Sequence, residues 1–104
     1  AGLIVVTAFI SPFRSDRRMV RSILGDGEFV EIYVSTPIDV CETRDPKGLY
    51  ARARTGSIKH FTGVSSPYEA PDQAEIVLDT SKMAVQECVD KVVRYLEGTG
   101  RLKN

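Results

Sequence analysis

The sequence is short of the residues that mark several protein classes. Its 104 residues contain no tryptophan, one histidine and two cysteines, and 14 basic residues balance 14 acidic ones. Cys41 and Cys88 lie far apart, without the spacing of a metal or redox motif. A net charge of zero gives no overall field for nucleic acid or a membrane surface. We therefore expect a reduced, cytoplasmic protein that binds neither.

Long hydrophobic runs are also lacking. The most apolar segment, residues 3–10, is interrupted by Thr7 and is far shorter than the roughly 20 residues that span a bilayer. The residues before it do not have the basic and apolar pattern of a leader peptide. With 42% hydrophobic and 27% charged residues, the composition predicts one globular domain at most.

The order of hydrophobic patterns predicts an α/β fold, a parallel sheet with flanking helices. Residues 3–9 form a nearly continuous apolar run, typical of a central strand buried on both faces. Further strands are predicted at 29–34 and 75–79, and helices at 16–24, 37–42, 49–54 and 85–96. Ser15 and Thr36 are the predicted N-caps of the first two helices, and Gly98 is placed to stop the last.

Three strands are few for a parallel sheet, because each strand needs neighbours and both faces need helices. We therefore expect the first strand to stand at or next to an open edge, and the chain to be part of a domain. Residues 44–71 differ in composition from the rest of the chain, because they are rich in glycine, proline and serine from residue 56 onwards. A long irregular segment of this kind predicts a lid or binding loop.

A candidate ligand site follows the first apolar segment. There Ser11, Pro12, Phe13 and Arg14 replace the aliphatic residues, and open α/β sheets bind ligands at the carboxyl ends of their strands. The phosphate-binding pattern G-x-x-x-x-G-K-[ST] occurs nowhere in the sequence. If the run belongs to a phosphate-transferring fold, the phosphate loop must lie outside this sequence.

Three ordered motifs resemble a single family. They are FISPFR (9–14), CETRDPKGLY (41–50) and IKHFTG (58–63), and together they resemble the carboxyl-terminal half of adenylylsulfate kinase. That family uses ATP to phosphorylate the 3'-hydroxyl of adenosine 5'-phosphosulfate in sulfate assimilation. The resemblance covers nearly all of residues 1–104. It implies a P-loop kinase fold without its P-loop half, a lid at about 44–71, ATP with Mg²⁺ held by the missing half, and a homodimer.

The resemblance also implies site residues on two sides of a cleft. On the adenylylsulfate side are Ile10, Ser11, Pro12, Phe13, Lys47, His60 and Phe61. On the ATP side are Arg44 and Met83, the latter standing where some relatives have a polar residue or a cysteine. Phe61 would stack on the substrate adenine, and none of these residues is implied as a metal ligand.

Several of these residues have a second interpretation. Ser11 resembles a phosphorylated catalytic serine, whereas the residues favour a hydrogen-bonding role because His60, the one histidine, lies in a distant loop. Phe61 alternatively anchors the lid, Lys47 is a solvated turn residue, and Arg44 favours the end of its helix. The arginines in the first helix are interpreted as a solvated face: Arg14, Arg17, Arg18 and Arg21.

The resulting hypothesis is an adenylylsulfate kinase in which this chain supplies the substrate-binding and lid half. We expect the isolated chain to be inactive, because phosphoryl transfer depends on positioning the β- and γ-phosphates and neutralising their charge. The alternative is a non-catalytic module that binds an adenine nucleotide or another protein.

Overall fold

Helices and strands alternate along the chain. A computed structural model describes residues 3–25, 27–64 and 66–101. The elements in order are α1 (Arg14–Ile23), β1 (Ile32–Val34), α2 (Ile38–Arg44), α3 (Leu49–Arg54), β2 (Ile76–Leu78) and α4 (Val85–Gly98). β1 and β2 are parallel neighbours, with Ile32 opposite Ile76 and Val34 opposite Leu78. The predicted α/β class, with a parallel sheet and flanking helices, is confirmed.

Residues 3–10 do not form the predicted first strand. They have no strand pairing, and their side chains are exposed, with Val5 at 81%, Val6 at 85% and Phe9 at 83%. A strand needs a neighbour for its backbone N–H and C=O groups, and in the described part of the chain β1 and β2 pair with each other. The prediction of a central strand buried on both faces is therefore wrong for this chain.

The first helix begins two residues earlier than predicted and is capped from a distant segment. Phe13, not Ser15, occupies the N-cap position, and its side chain makes no capping hydrogen bond. The carboxylate of Glu69 instead accepts the Arg14 backbone N–H at 2.8 Å, while the Glu69 N–H donates to the Pro12 carbonyl at 2.7 Å. A negative charge at a helix N-terminus also interacts favourably with the helix dipole.

The remaining helices follow the predictions closely. α2 begins at Ile38, so Pro37 rather than Thr36 is its N-cap residue. α3 has the predicted bounds, and α4 includes Gly98 as its last residue instead of stopping before it. Within the described ranges, no helix is both long enough and apolar enough to cross a membrane.

The apolar core is small and centred on β2. Among the described residues, the buried hydrophobic side chains are those of Ala53, Ile76 and Leu78. Ile76 and Leu78 share one face of β2 because successive side chains of a strand alternate, and Val77 between them is 44% exposed. With so little apolar burial, polar contacts must contribute much of what holds the elements in place.

Arginines of α1 reach the amino ends of both strands. Arg21 donates to both carboxylate oxygens of Glu75, at 2.9 and 2.7 Å, and Glu75 also accepts the Glu31 backbone N–H at 2.7 Å. The Nε atom of Arg17 lies 3.2 Å from the Glu31 carboxylate. Burial alone would raise the pKa of Glu75, but the hydrogen bonds from Arg21 and the Glu31 N–H outweigh it and lower that pKa below 4.5.

We expect Glu75 to contribute to unfolding in acid. The pKa of Glu75 is lower in the folded than in the unfolded chain. Its contribution to stability is therefore fully present above about pH 4.5 and is lost as the pH falls through the folded-state pKa. In Glu75→Gln the free energy of unfolding should therefore be lower at neutral pH and fall less steeply in acid. Urea unfolding at pH values between about 3 and 7 measures this dependence.

Glu28→Gln is the matched control, because Glu28 is an exposed carboxylate. Its unfolding profile should follow that of the unsubstituted chain. An acid dependence in Glu75→Gln as steep as in the unsubstituted chain would contradict the assignment.

Candidate functional site

A cleft of about 530 Å³ opens beyond the carboxyl end of β1. Its walls are formed by the strand end at 33–38, Cys41, Tyr50, the loop at 58–63, and the facing residues Ile10 and Tyr68. Its volume is in the range of small-molecule sites, and its position is that of ligands in open α/β sheets. The structure thus brings the predicted residues Ile10, His60 and Phe61 to one cleft.

Two pairs of aromatic rings line this cleft. Tyr33 of β1 and Tyr68 are stacked, with ring centroids 6.2 Å apart and an interplanar angle of 20°. Phe61 meets Tyr50 of α3 edge to face, with centroids 4.9 Å apart. Burial, followed by the neighbouring Cys41, raises the pKa of the Tyr50 hydroxyl. The contact with Tyr50 ties the loop to α3, as the anchoring interpretation of Phe61 requires, and the ring still lines the cleft.

Backbone strain lies on both sides of the cleft. Ser11 has φ +41° and His60 has φ +56°, in the left-handed region that costs a residue with a Cβ atom about 1 kcal/mol or more. Such conformations persist where surrounding contacts hold them, and they cluster at ligand sites. Ser11, Pro12 and Phe13 lead from Ile10 into α1, but they do not themselves line the cleft.

Arg44 is tied to the segment that follows β2. Its guanidinium donates to the Thr80 hydroxyl at 2.7 Å and to the Thr80 carbonyl at 2.9 Å. The Thr80 N–H donates in turn to the Thr36 hydroxyl at 2.9 Å. Met83 belongs to the same segment, since its N–H donates to the Asp79 carbonyl at 3.0 Å. Arg44 and Met83, the two residues predicted for the ATP side, therefore both make hydrogen bonds with the segment that follows β2.

Lys47 lies exposed in the turn between α2 and α3 and is not among the residues that line the cleft. Asp45 shapes this turn, because its carboxylate accepts the N–H groups of Tyr50 and Ala51, each at 3.1 Å. The structure places the Lys47 side chain in the position of a solvated turn residue. A contact between Lys47 and adenylylsulfate stays a prediction.

The sequence patterns did not point to the tyrosines of the cleft. Tyr33 lies in a strand pattern that predicts burial, and Tyr68 lies in an irregular loop. Only their aromatic character, close to a strand end, was a signal. No group of three or more His, Cys, Asp and Glu residues that could hold a metal occurs within the described ranges.

The structure is that of an α/β protein with a cleft at the carboxyl end of a parallel strand, the position in which open α/β sheets bind ligands. The family model for adenylylsulphate kinase matches residues 1–79, and the chain belongs to this family. It is 58% identical over 104 residues to the adenylyl-sulfate kinase of Marinobacter nauticus, covering 100% of this chain and 52% of that one. It is 56% identical over 97 residues to the adenylyl-sulfate kinase of Staphylococcus carnosus, and the match covers 93% of this chain and 49% of that one.

A solved structure is similar over most of the chain. The APS kinase CysC of Mycobacterium tuberculosis, in complex with AMPPNP and APS, has a TM-score of 0.80 and 41% identity, over 86% of this chain and 52% of that one. The fold expected from the sequence motifs is thus confirmed. The chain spans about half the length of the curated relatives that it matches.

We expect Thr80→Val to loosen the turn between α2 and α3. The substitution removes the hydroxyl that accepts a hydrogen bond from Arg44. Such a bond contributes roughly 1 kcal/mol to stability, so the turn should open more often without it. Limited proteolysis with trypsin should then cleave after Lys47 roughly fivefold faster, since cleavage follows the population of the open form.

Thr99→Val is the matched control, because the Thr99 hydroxyl donates within the end of α4, at 2.8 Å to the Tyr95 carbonyl. It should leave the cleavage rate after Lys47 unchanged. Equal rates in Thr80→Val and the unsubstituted chain would show that Arg44 does not hold the turn through Thr80.

Proposed function

We propose that this chain forms the adenylylsulfate-binding and lid half of an adenylylsulfate kinase. The enzyme transfers the γ-phosphate of ATP to the 3'-hydroxyl of adenosine 5'-phosphosulfate, giving 3'-phosphoadenylylsulfate for sulfate assimilation. The observation that carries the proposal is the aromatic cleft beyond β1 in a chain of this family. The similar M. tuberculosis protein is in complex with AMPPNP and APS, which supports both kinds of nucleotide as ligands.

The adenylylsulfate side consists of the cleft and the segments next to it. Aromatic side chains attract an adenine ring through stacked and edge-to-face contacts, and Phe61 is the ring assigned to this contact. Ile10 supplies an apolar wall, and the Ser11 turn that follows it continues the substrate side. When the lid at about 44–71 closes and water is excluded, Lys47 meets adenylylsulfate, and His60, next to Phe61, contacts it through its backbone.

The ATP side is assigned to Arg44 and Met83. The hydrogen bonds from Arg44 to Thr80 leave in the plane of the guanidinium, so its flat face is still available to stack on a base. Arg44 can therefore hold the lid and contact the ATP base at the same time. Met83 is an apolar neighbour in the segment after β2.

The phosphates of ATP require residues that this sequence does not contain. It has no P-loop motif, and no metal-ligand cluster occurs in the part of the chain that the structure describes. We assign Mg²⁺ and phosphate binding to a P-loop half that packs on the exposed apolar segment 3–10. The chain alone is then inactive, and the assembled kinase is a cytoplasmic homodimer.

An assembly experiment tests the function. The chain is mixed with a P-loop-containing half of a relative, such as the M. nauticus enzyme, together with ATP, magnesium and adenosine 5'-phosphosulfate. We expect 3'-phosphoadenylylsulfate from the mixture and none from either half, because only together do they hold both substrates. A soluble, associated complex that makes no product would overturn the proposal.

Substitution of Phe61 tests the adenine contact. Phe61→Ala should raise the Kd for adenosine 5'-phosphosulfate roughly tenfold, since an aromatic stacking partner contributes about 1 to 3 kcal/mol, whereas Phe61→Tyr keeps the ring and should bind as the unsubstituted chain does. Calorimetry measures both. Equal Kd values for Phe61→Ala and Phe61→Tyr would assign Phe61 to anchoring the loop on Tyr50 alone.

The second candidate is a non-catalytic module that binds an adenine nucleotide or another protein. Its ligand site would be the same cleft, which has the volume of a small-molecule site. Nucleotide affinity that the P-loop half leaves unchanged, without product formation, would support it over the kinase.

A further inference from the structure

Arg17 differs from the other arginines of α1. Its side chain is 12% exposed, whereas those of Arg14 and Arg21 are 44% and 40% exposed. The interpretation of all four α1 arginines as a solvated face is therefore wrong for Arg17. A nearly buried guanidinium needs partners for its donors and its charge, and the structure provides them from three separate segments.

The guanidinium of Arg17 joins the segments around the cleft. One terminal nitrogen donates to the Ser11 carbonyl and the other to the Glu69 carbonyl. Its Nε lies 3.2 Å from the Glu31 carboxylate, which is itself 15% exposed. The guanidinium carbon stands 5.6 Å from the centre of the Tyr68 ring. One planar group thus connects the Ser11 turn, the 68–69 segment and the start of β1.

Each of these segments carries part of the cleft. Ile10, next to Ser11, forms one wall, and Tyr68, next to Glu69, forms another and stacks on Tyr33 of β1. The Ser11 carbonyl belongs to a residue with φ +41°, a conformation that persists only when neighbouring contacts hold it. Arg17 supplies such a contact.

The charge of Arg17 is not directed at the cleft. Glu31 neutralises it, and both terminal nitrogens are directed at backbone carbonyls rather than at the cleft, which Arg17 does not line. Lysine cannot replace this arrangement, since its compact ammonium lacks the planar fork that reaches two carbonyls and a carboxylate together. Arg17 can therefore affect a ligand in this cleft only through the residues that it holds.

We propose that Arg17 is a positioning residue for adenylylsulfate, holding the Ser11 turn and Tyr68 at the spacing that the substrate requires. The proposal rests on the proposed function, because it takes the cleft to be the adenylylsulfate side of the kinase. It assigns to Arg17 no contact with substrate and no part in phosphate transfer.

The kinetic test uses the assembled kinase with Arg17→Lys in this chain. The KM for adenosine 5'-phosphosulfate should rise roughly 10- to 100-fold, as misplaced binding groups do, while the KM for ATP changes less than about twofold. Arg18→Lys is the matched control, since Arg18 is an exposed neighbour on α1, and both of its KM values should stay unchanged. A merely structural role would instead lower the active fraction and leave both KM values unaltered, which would overturn the proposal.

A second measurement on the full chain is independent of activity. Positive φ brings the N–H and Hα protons of one residue close together, so Ser11 should give a strong intraresidue NOE in the unsubstituted chain and in Arg18→Lys. The NOE should weaken in Arg17→Lys, and the Tyr68 ring resonances should shift. An unchanged NOE and unchanged Tyr68 resonances would overturn the proposal.

The two measurements separate the possible failures. If the unsubstituted complex makes no product, the proposed function fails, while the NOE still decides whether Arg17 holds the turn. Arg17→Gln, which keeps an amide donor, is the second variant if Arg17→Lys does not fold. Loss of the α4 resonances in both variants would make Arg17 a determinant of the whole fold and would overturn its specific role at the cleft.

Discussion

The way in which α1 is joined to the strands depends on two adjacent carboxylates, those of Glu31 and Glu75. β1 and β2 are parallel and in register from Ile32 and Ile76, so Glu31 and Glu75, which precede those residues, are neighbours at the amino ends of the strands. Adjacent like charges destabilise a sheet unless cations lie between them. Arg17 and Arg21 are four residues apart on α1, which places them on one face of the helix. Arg17 pairs with Glu31, and Arg21 pairs with Glu75 and also lies 3.7 Å from the Glu31 carboxylate. These ion pairs connect α1 to the amino ends of the two strands.

The pairs in this network do not contribute equally. Arg14 and Asp72 are 44% and 64% exposed, and an ion pair in water contributes about 0 to 1 kcal/mol. Arg17 and Glu31 are 12% and 15% exposed, so removing either would leave a charge in a poorly solvated place, which is far more destabilising. Because the buried apolar side chains of the described residues are those of Ala53, Ile76 and Leu78, the less exposed ion pairs carry an unusual share of the fold.

What the sequence could predict depended on whether the determining contacts were local. The bounds of α3 and the strand at Ile76–Leu78 were predictable, because periodicity and breaking residues decide them within a few positions. The motifs also led to Ile10, His60 and Phe61, which meet at the cleft. Segment 3–10 was mispredicted, since an apolar run becomes a strand only beside a partner. Contacts across long stretches of chain, such as Glu69 at the start of α1, have no local signal.

Arg44 and Arg17 differ in how much free energy is needed to break their contacts. Arg44 is exposed, and its hydrogen bonds to Thr80 lie at the surface, where water competes for the same groups and opening costs little. Arg17 is nearly enclosed, and its release would leave the Glu31 carboxylate and two carbonyls with poorer partners. In the proposed kinase, the part of the lid around Arg44 exchanges between open and closed arrangements, while the Ser11 turn and the 68–69 segment stay in place. On that proposal the substrate meets one preformed side of the cleft, so its binding energy is available to close the other.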